Sequence, residues 1–137
     1  MPPANGARMD ISFTDRELDV MAVLWERGNG TVAEVRDALS DELAYNTVLT
    51  VLRTLQEKGY VRPSVEGRAH RYYPTVTQHA AGKSALGRIL DKVFAGSSEL
   101  LLTQLVNERT VDADELRRLR KLLDERLETL SKRGRKS

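Results

Sequence analysis

The sequence predicts a mainly α-helical chain with one small β-hairpin, and three features carry that reading. Two capping boxes, Thr14-Asp15-Arg16-Glu17 and Thr31-Val32-Ala33-Glu34, each open a run of apolar residues at helical spacing. Two β-rich runs, 60–65 and 69–74, flank Gly67 as a hairpin would. Leucine-rich stripes then recur to the end of the chain.

The first helix is expected over about 15–27, with Leu18, Met21, Ala22, Val23 and Trp25 on its apolar stripe. Gly28-Asn29-Gly30 ends it, because Gly and Asn tolerate left-handed backbone. A short second helix carries Val32, Val35, Ala38 and Leu39 and stops near Ser40, before the polar turn Asp41-Glu42. A third helix is expected over about 45–58, ending at Gly59 with Lys58 against the C-terminal dipole. Val48, Val51, Leu52 and Leu55 share one face of it. Asn46, Thr50, Arg53 and Glu57 take the opposite face, with Thr47, Leu49 and Thr54 beside them. In the hairpin, Pro63 restricts its strand to an edge or a strand start.

Three more helices follow. The first spans about 78–94, with Ala81, Ala85, Leu86, Ile89, Leu90, Val93 and Phe94. Gly96-Ser97-Ser98 breaks the chain and recaps it. Leu100, Leu101, Leu102, Leu105 and Val106 mark the second. Asp112-Ala113-Asp114-Glu115 starts the third, whose stripe is Leu116, Leu119, Leu123, Leu127 and Leu130. The organisation is a flexible tail at 1–10, a winged helix-turn-helix at 11–75, a helical dimerisation unit at 76–131 and a basic tail at 132–137.

The 137 residues suit one small domain plus an accessory helical unit, and 40% hydrophobic content supplies a core. The chain has no cysteine, which excludes a disulfide scaffold, a thiolate metal site and a cysteine nucleophile. It shows no signal-peptide h-region and no apolar run that could span a bilayer, so the protein is expected in the cytoplasm. The net charge of +2 hides an uneven distribution. Residues 1–43 hold four bases and nine acids, whereas 44–74 hold five bases and two acids. A basic segment beside an acidic one suits a polyanion-facing surface, although ordinary surface charge gives the same count.

Three short helices followed by a hairpin is the element order of a winged helix-turn-helix, in which a late helix enters the major groove of double-stranded DNA. Asn46, Thr47, Thr50 and Arg53 have the side chains that read base edges, and Leu49 suits a thymine methyl. Arg68 and Arg71 place positive charge on the wing, near phosphates or a minor groove. The plain alternative is that this face is only solvated. Leu101, Leu105, Leu116, Leu119, Leu123, Leu127 and Leu130 are more apolar surface than the last helices can bury alone, which points to a homodimer; an intrachain core is the other reading. His70 and His79 do not have ligand spacing, so no metal or cofactor is expected, and no catalytic constellation appears. Two functions remain in view, a DNA-binding repressor and a winged-helix protein–protein interaction module. Exposed aromatics on the third helix would favour the module.

The sequence resembles the penicillinase-repressor (BlaI/MecI) family. The resemblance rests on Leu24-Trp25 to Gly28, TVAEVRDAL at 31–39, YNTVLTVLRTLQEKGYV at 45–61 and GRAHRYYP at 67–74, and more weakly on KVFAGSSELLLTQLV at 92–106. It implies a dimeric repressor on a palindromic operator, released when a membrane sensor-protease triggers proteolysis. The family's cleaved bond aligns with Gln104-Leu105, where members known to be cut have an Asn-Phe type bond. A copper-responsive branch uses a cysteine-rich motif, which this chain lacks.

Overall fold

A computed structural model describes residues 11–135. The expected flexible tail at 1–10 lies outside them. In chain order the elements are α1 (Asp15–Arg27), β1 (Gly30–Thr31), α2 (Val32–Ala38), α3 (Tyr45–Glu57), β2 (Val61–Glu66), β3 (Ala69–Pro74), α4 (Gln78–Val93), α5 (Ser98–Glu108) and α6 (Ala113–Arg135).

Both capping boxes form. Thr14 accepts from the Glu17 amide while the Glu17 carboxylate accepts from the Thr14 amide, and Thr31 and Glu34 repeat the arrangement at α2. Gly28 ends α1 at φ 88°, a left-handed conformation that glycine adopts without a Cβ penalty. Gly67 turns the hairpin at φ 64° for the same reason. β2 and β3 pair antiparallel with Val61 opposite Pro74 and Glu66 opposite Ala69. β2 is an edge strand, as Pro63 requires. The third strand, β1, pairs Gly30 with Tyr72 and Thr31 with Arg71. At two residues it is too short to leave a periodic signal in the sequence.

The chain divides into two compact units, Met1–Ile89 and Leu90–Ser137. The first has one core. Val20, Met21 and Leu24 of α1 meet Val32 and Val35 of α2, and Val48, Leu52 and Leu55 of α3. Tyr60, Val61 and Tyr72 close it from the sheet. Ile11, Val76 and Ala81 are buried in the same cluster. The Trp25 Nε1–H donates to the Val76 carbonyl at 2.9 Å, and an Arg88 N–H donates to the Ile11 carbonyl at 2.8 Å. These contacts fasten the first part of α4 to the winged helix, so the divide falls within α4 rather than at the expected 75/76 boundary.

The second unit holds the end of α4, α5 and α6. Ser97 accepts from the Leu100 amide to start α5, and Asp112 accepts from the Glu115 amide to start α6. The basic segment expected as a tail from 132 begins inside α6, since Lys and Arg are good helix formers and their charge suits a helix C-terminus. Among the described residues, no helix is long and apolar enough to cross a membrane.

One ion pair fixes the end of α3. Lys58, its C-cap, donates to the nearly buried Glu17 carboxylate at 2.8 Å. Burial alone pushes that carboxyl up, but the Lys58 ammonium and the Thr14 amide and hydroxyl outweigh it and hold Glu17 below the ordinary carboxylate value. A carboxyl depressed in the folded state contributes stability above its unfolded value, and that stability is lost as pH falls through the folded value. Glu17→Gln keeps an acceptor for the cap and removes the charge. It is expected to cost about 1–2 kcal/mol at neutral pH, and the gap from the natural protein should narrow on acidification through the carboxylate range. Urea unfolding of both proteins across pH checks this, and a gap that does not change with pH refutes it.

Candidate nucleic-acid interface

The site begins with the division of α3 into two faces. Because Val48, Leu52 and Leu55 are fully buried, the residues about half a turn away must face solvent. Asn46, Thr47, Thr50 and Arg53 are all exposed. Leu49 differs from its expected outward placement: it is half-buried and packs against the core, because it lies on the border of the buried stripe. The Thr50 hydroxyl donates to the Asn46 carbonyl at 2.9 Å, so toward a ligand its oxygen is chiefly an acceptor.

No side chain caps α3 at Ala44. The positive end of its dipole therefore opens beside Asn46 and Thr47. Tyr45, exposed at the same end, lies under the Arg36 guanidinium of α2 at 5.9 Å from the ring centroid. Tyr45 is an exposed aromatic on a helix otherwise offering Asn, Thr and Arg, and its ring is matched to a cation from its own chain.

The wing has an exposed tip and a tied root. Arg68 is exposed in the Gly67 turn, and Val65 and His70 form an exposed cross-strand pair beside it. Arg71, expected with Arg68 near phosphates or a minor groove, is tied within the chain. It makes a two-pronged contact with Glu34, at 2.7 and 3.2 Å, and donates to the Asn29 side chain at 2.9 Å. Arg27 approaches the same carboxylate at 3.5 Å. The Arg71 hydrogen bond, joined by the Thr31 amide and the charges of Arg71 and Arg27, holds the Glu34 carboxyl below its ordinary value against the opposing effect of burial. Glu34 thus caps α2 and anchors β3 with one carboxylate.

Sequence reasoning placed Glu34 in a capping box and Asn29 in a turn but missed their contacts with Arg71, and it missed the Arg36–Tyr45 pair. It also missed Arg62, whose guanidinium sits 4.6 Å from the Tyr73 ring centroid across the hairpin. The Arg62–Tyr73 pair was recoverable once the turn was placed at Gly67, because the register sets them opposite each other. The other contacts join segments far apart in sequence and left no local pattern.

Relatives decide what such a fold is for. The sequence matches the model of the Penicillinase repressor family over residues 13–125. The chain belongs to the penicillinase-repressor family. Within it, the transcriptional regulator BlaI of Mycobacterium tuberculosis is 38% identical over 118 residues, covering 81% of this chain and 82% of that protein. The methicillin resistance regulatory protein MecI of Staphylococcus aureus is 21% identical over 118 residues, covering 83% and 94%. The solved DNA-binding domain of the repressor BlaI aligns with 53% of this chain and 90% of its own length, with 30% identity and a TM-score of 0.47. As a penicillinase-repressor protein with a winged helix, the chain is a DNA-binding transcriptional repressor.

The remaining expected residues lie in the second unit. Leu105, Leu116, Leu123, Leu127 and Leu130 are exposed, and Leu101 and Leu119 are half-buried. Gln104 and Leu105 are exposed and lie within α5, where Leu105 opens the last turn and its carbonyl accepts from the Arg109 amide.

Proposed function

We propose that the repressor works in the cytoplasm as a homodimer on an inverted-repeat DNA operator, without catalytic activity of its own. The observation that carries the DNA reading is the exposed row Asn46, Thr47, Thr50 and Arg53 on a helix with an uncapped N-terminus. Asn reads adenine and Arg reads guanine in the major groove, while the amides of a helix N-terminus and the wing charge suit phosphates. The leucines left exposed on α5 and α6 support the dimer. Two linked winged helices hold two half-sites with an affinity that neither reaches alone.

Arg53→Ala is expected to weaken specific binding by about 1–3 kcal/mol and to relax preference at one base position. Titration against a set of singly substituted operators measures both, and an equal loss on every sequence would assign Arg53 to a phosphate instead.

The two wing arginines should separate. Arg68→Ala is expected to reduce the slope of log affinity against log salt by about 1, as one lost phosphate contact does. Arg71→Ala should lower thermal stability by releasing Glu34 and Asn29, and should leave the slope closer to that of the natural protein. An equal change of slope in both variants would show that Arg71 reaches the backbone as well.

Two-fold symmetry sets the operator geometry. Half-site centres are expected about 10 base pairs apart, or a multiple of that, and inserting about 5 base pairs should reduce affinity toward that of one half-site. The double variant Leu123→Asp with Leu127→Asp should have the same effect while sedimenting as a monomer. A dimeric double variant overturns the assignment of these leucines.

Release follows from cutting α5 at Gln104-Leu105 by a sensor-linked protease. The cut detaches α6 from the winged helix and removes the linkage between half-sites. Immunoblots during induction test this: a shortened chain should accumulate as target genes switch on, and full-length protein persisting through derepression overturns it.

A further inference from the structure

The leucines of α6 are spaced 3, 4, 4 and 3, so Leu116, Leu119, Leu123, Leu127 and Leu130 read identically from either end. The stripe is symmetric about Leu123. α6 runs 23 residues, and no described residue of it is buried within the chain. Leu123, Leu127 and Leu130 are 51%, 65% and 50% exposed. The stripe repeats every 3.5 residues on average, close to the period of a straight helix, so all five leucines stay on one face.

The charges on α6 alternate in blocks along its length. Three acids fall within 112–115, four bases within 117–121, three acids with Arg126 within 124–128, and two bases at 132–133. A parallel pair of these helices sets each block against its own copy. Reversing one helix about Leu123 sets each acidic block against a basic one, with Arg126 falling level with Arg120 of the partner subunit as the exception. Helical geometry puts Arg120 and Asp124 along one border of the stripe, and Glu115 and Arg133 along the other. After that reversal, Arg120 lies beside Asp124 of the partner subunit and Glu115 beside Arg133 of the partner subunit. Reversal also opposes the two helix dipoles.

We propose that α6 pairs with α6 of a second copy in antiparallel register, with the two-fold axis at Leu123, Leu116 against Leu130 of the partner subunit, and Leu119 against Leu127 of the partner subunit. The proposal rests on the homodimer reading above and adds the register and direction of its interface. The leucine symmetry gives the register, and the charge blocks select the direction.

The chain has no cysteine, so single cysteines report on this pairing without background. In the antiparallel pair, Leu116 and its own copy lie ~21 Å apart along the helix axis at 1.5 Å per residue. A disulfide needs Cα atoms within about 7 Å. Under mild oxidation, Leu123→Cys should cross-link to itself. Leu116→Cys and Leu130→Cys should each stay uncross-linked alone. An equal mixture of those two, one carrying an affinity tag, should yield the mixed disulfide. Self-linking of both Leu116→Cys and Leu130→Cys would show a parallel pair and overturn the proposal. Absence of every cross-link in protein that sediments as a dimer would also overturn it, while leaving the homodimer intact. Monomeric sedimentation of the natural protein would remove both the dimer and its register. Circular dichroism of each variant confirms that the helices are retained.

Discussion

An amphipathic helix can turn only one stripe to the core, and α3 has to turn Val48, Leu52 and Leu55 inward. α1 and α2 supply the apolar surface those residues need, and the sheet completes the enclosure through Tyr60, Val61 and Tyr72. Asn46, Thr47, Thr50 and Arg53, on the far side of α3, are then outside by default. The exposed polar row of α3 is thus a geometrical consequence of the core, and a core substitution that rotates α3 would move Asn46 and Arg53 without touching them.

Two carboxylates extend that constraint to the rest of the winged helix. Glu17 caps the start of α1 and reaches Lys58 at the end of α3, so one residue ties the first helix to the exit of the third. Glu34 caps α2 and holds Arg71 of β3. Each carboxylate has a local task legible as a capping box and a distant task that appears only in three dimensions. The positions of α3 and of the wing relative to the other helices are therefore set by the same residues that start those helices.

Capping boxes, helical periodicity and the Gly67 turn made the helices and the hairpin of the described residues legible in the sequence, because these signals are local. The exposed row on α3 was legible for the same reason. What the sequence concealed was tertiary. Leu49 lies on the border between faces, where periodicity does not separate half-buried from exposed. Arg71 reads as a wing charge until Glu34, 37 residues earlier in the chain, is brought beside it. β1 owes its existence to pairing with β3 and not to any strand propensity of Gly30 and Thr31. The start of α4 joins the first unit through Val76, Ala81 and Trp25, a connection invisible in an apolar pattern that runs through the divide unbroken.

Trp25 is the chain's one tryptophan. Its indole is half-buried, edge-on to Phe13 with ring centroids 6.1 Å apart, and hydrogen-bonded to the last loop before α4. Its fluorescence is therefore an intrinsic optical probe of that junction. Emission should shift to the red when Val76 releases the indole to water, whether or not α5 and α6 are still helical. Far-ultraviolet dichroism reports on all the helices together, those of α5 and α6 included. Recorded together during unfolding, a dichroism change without a tryptophan shift marks loss of helix outside the Trp25 junction, with no label added.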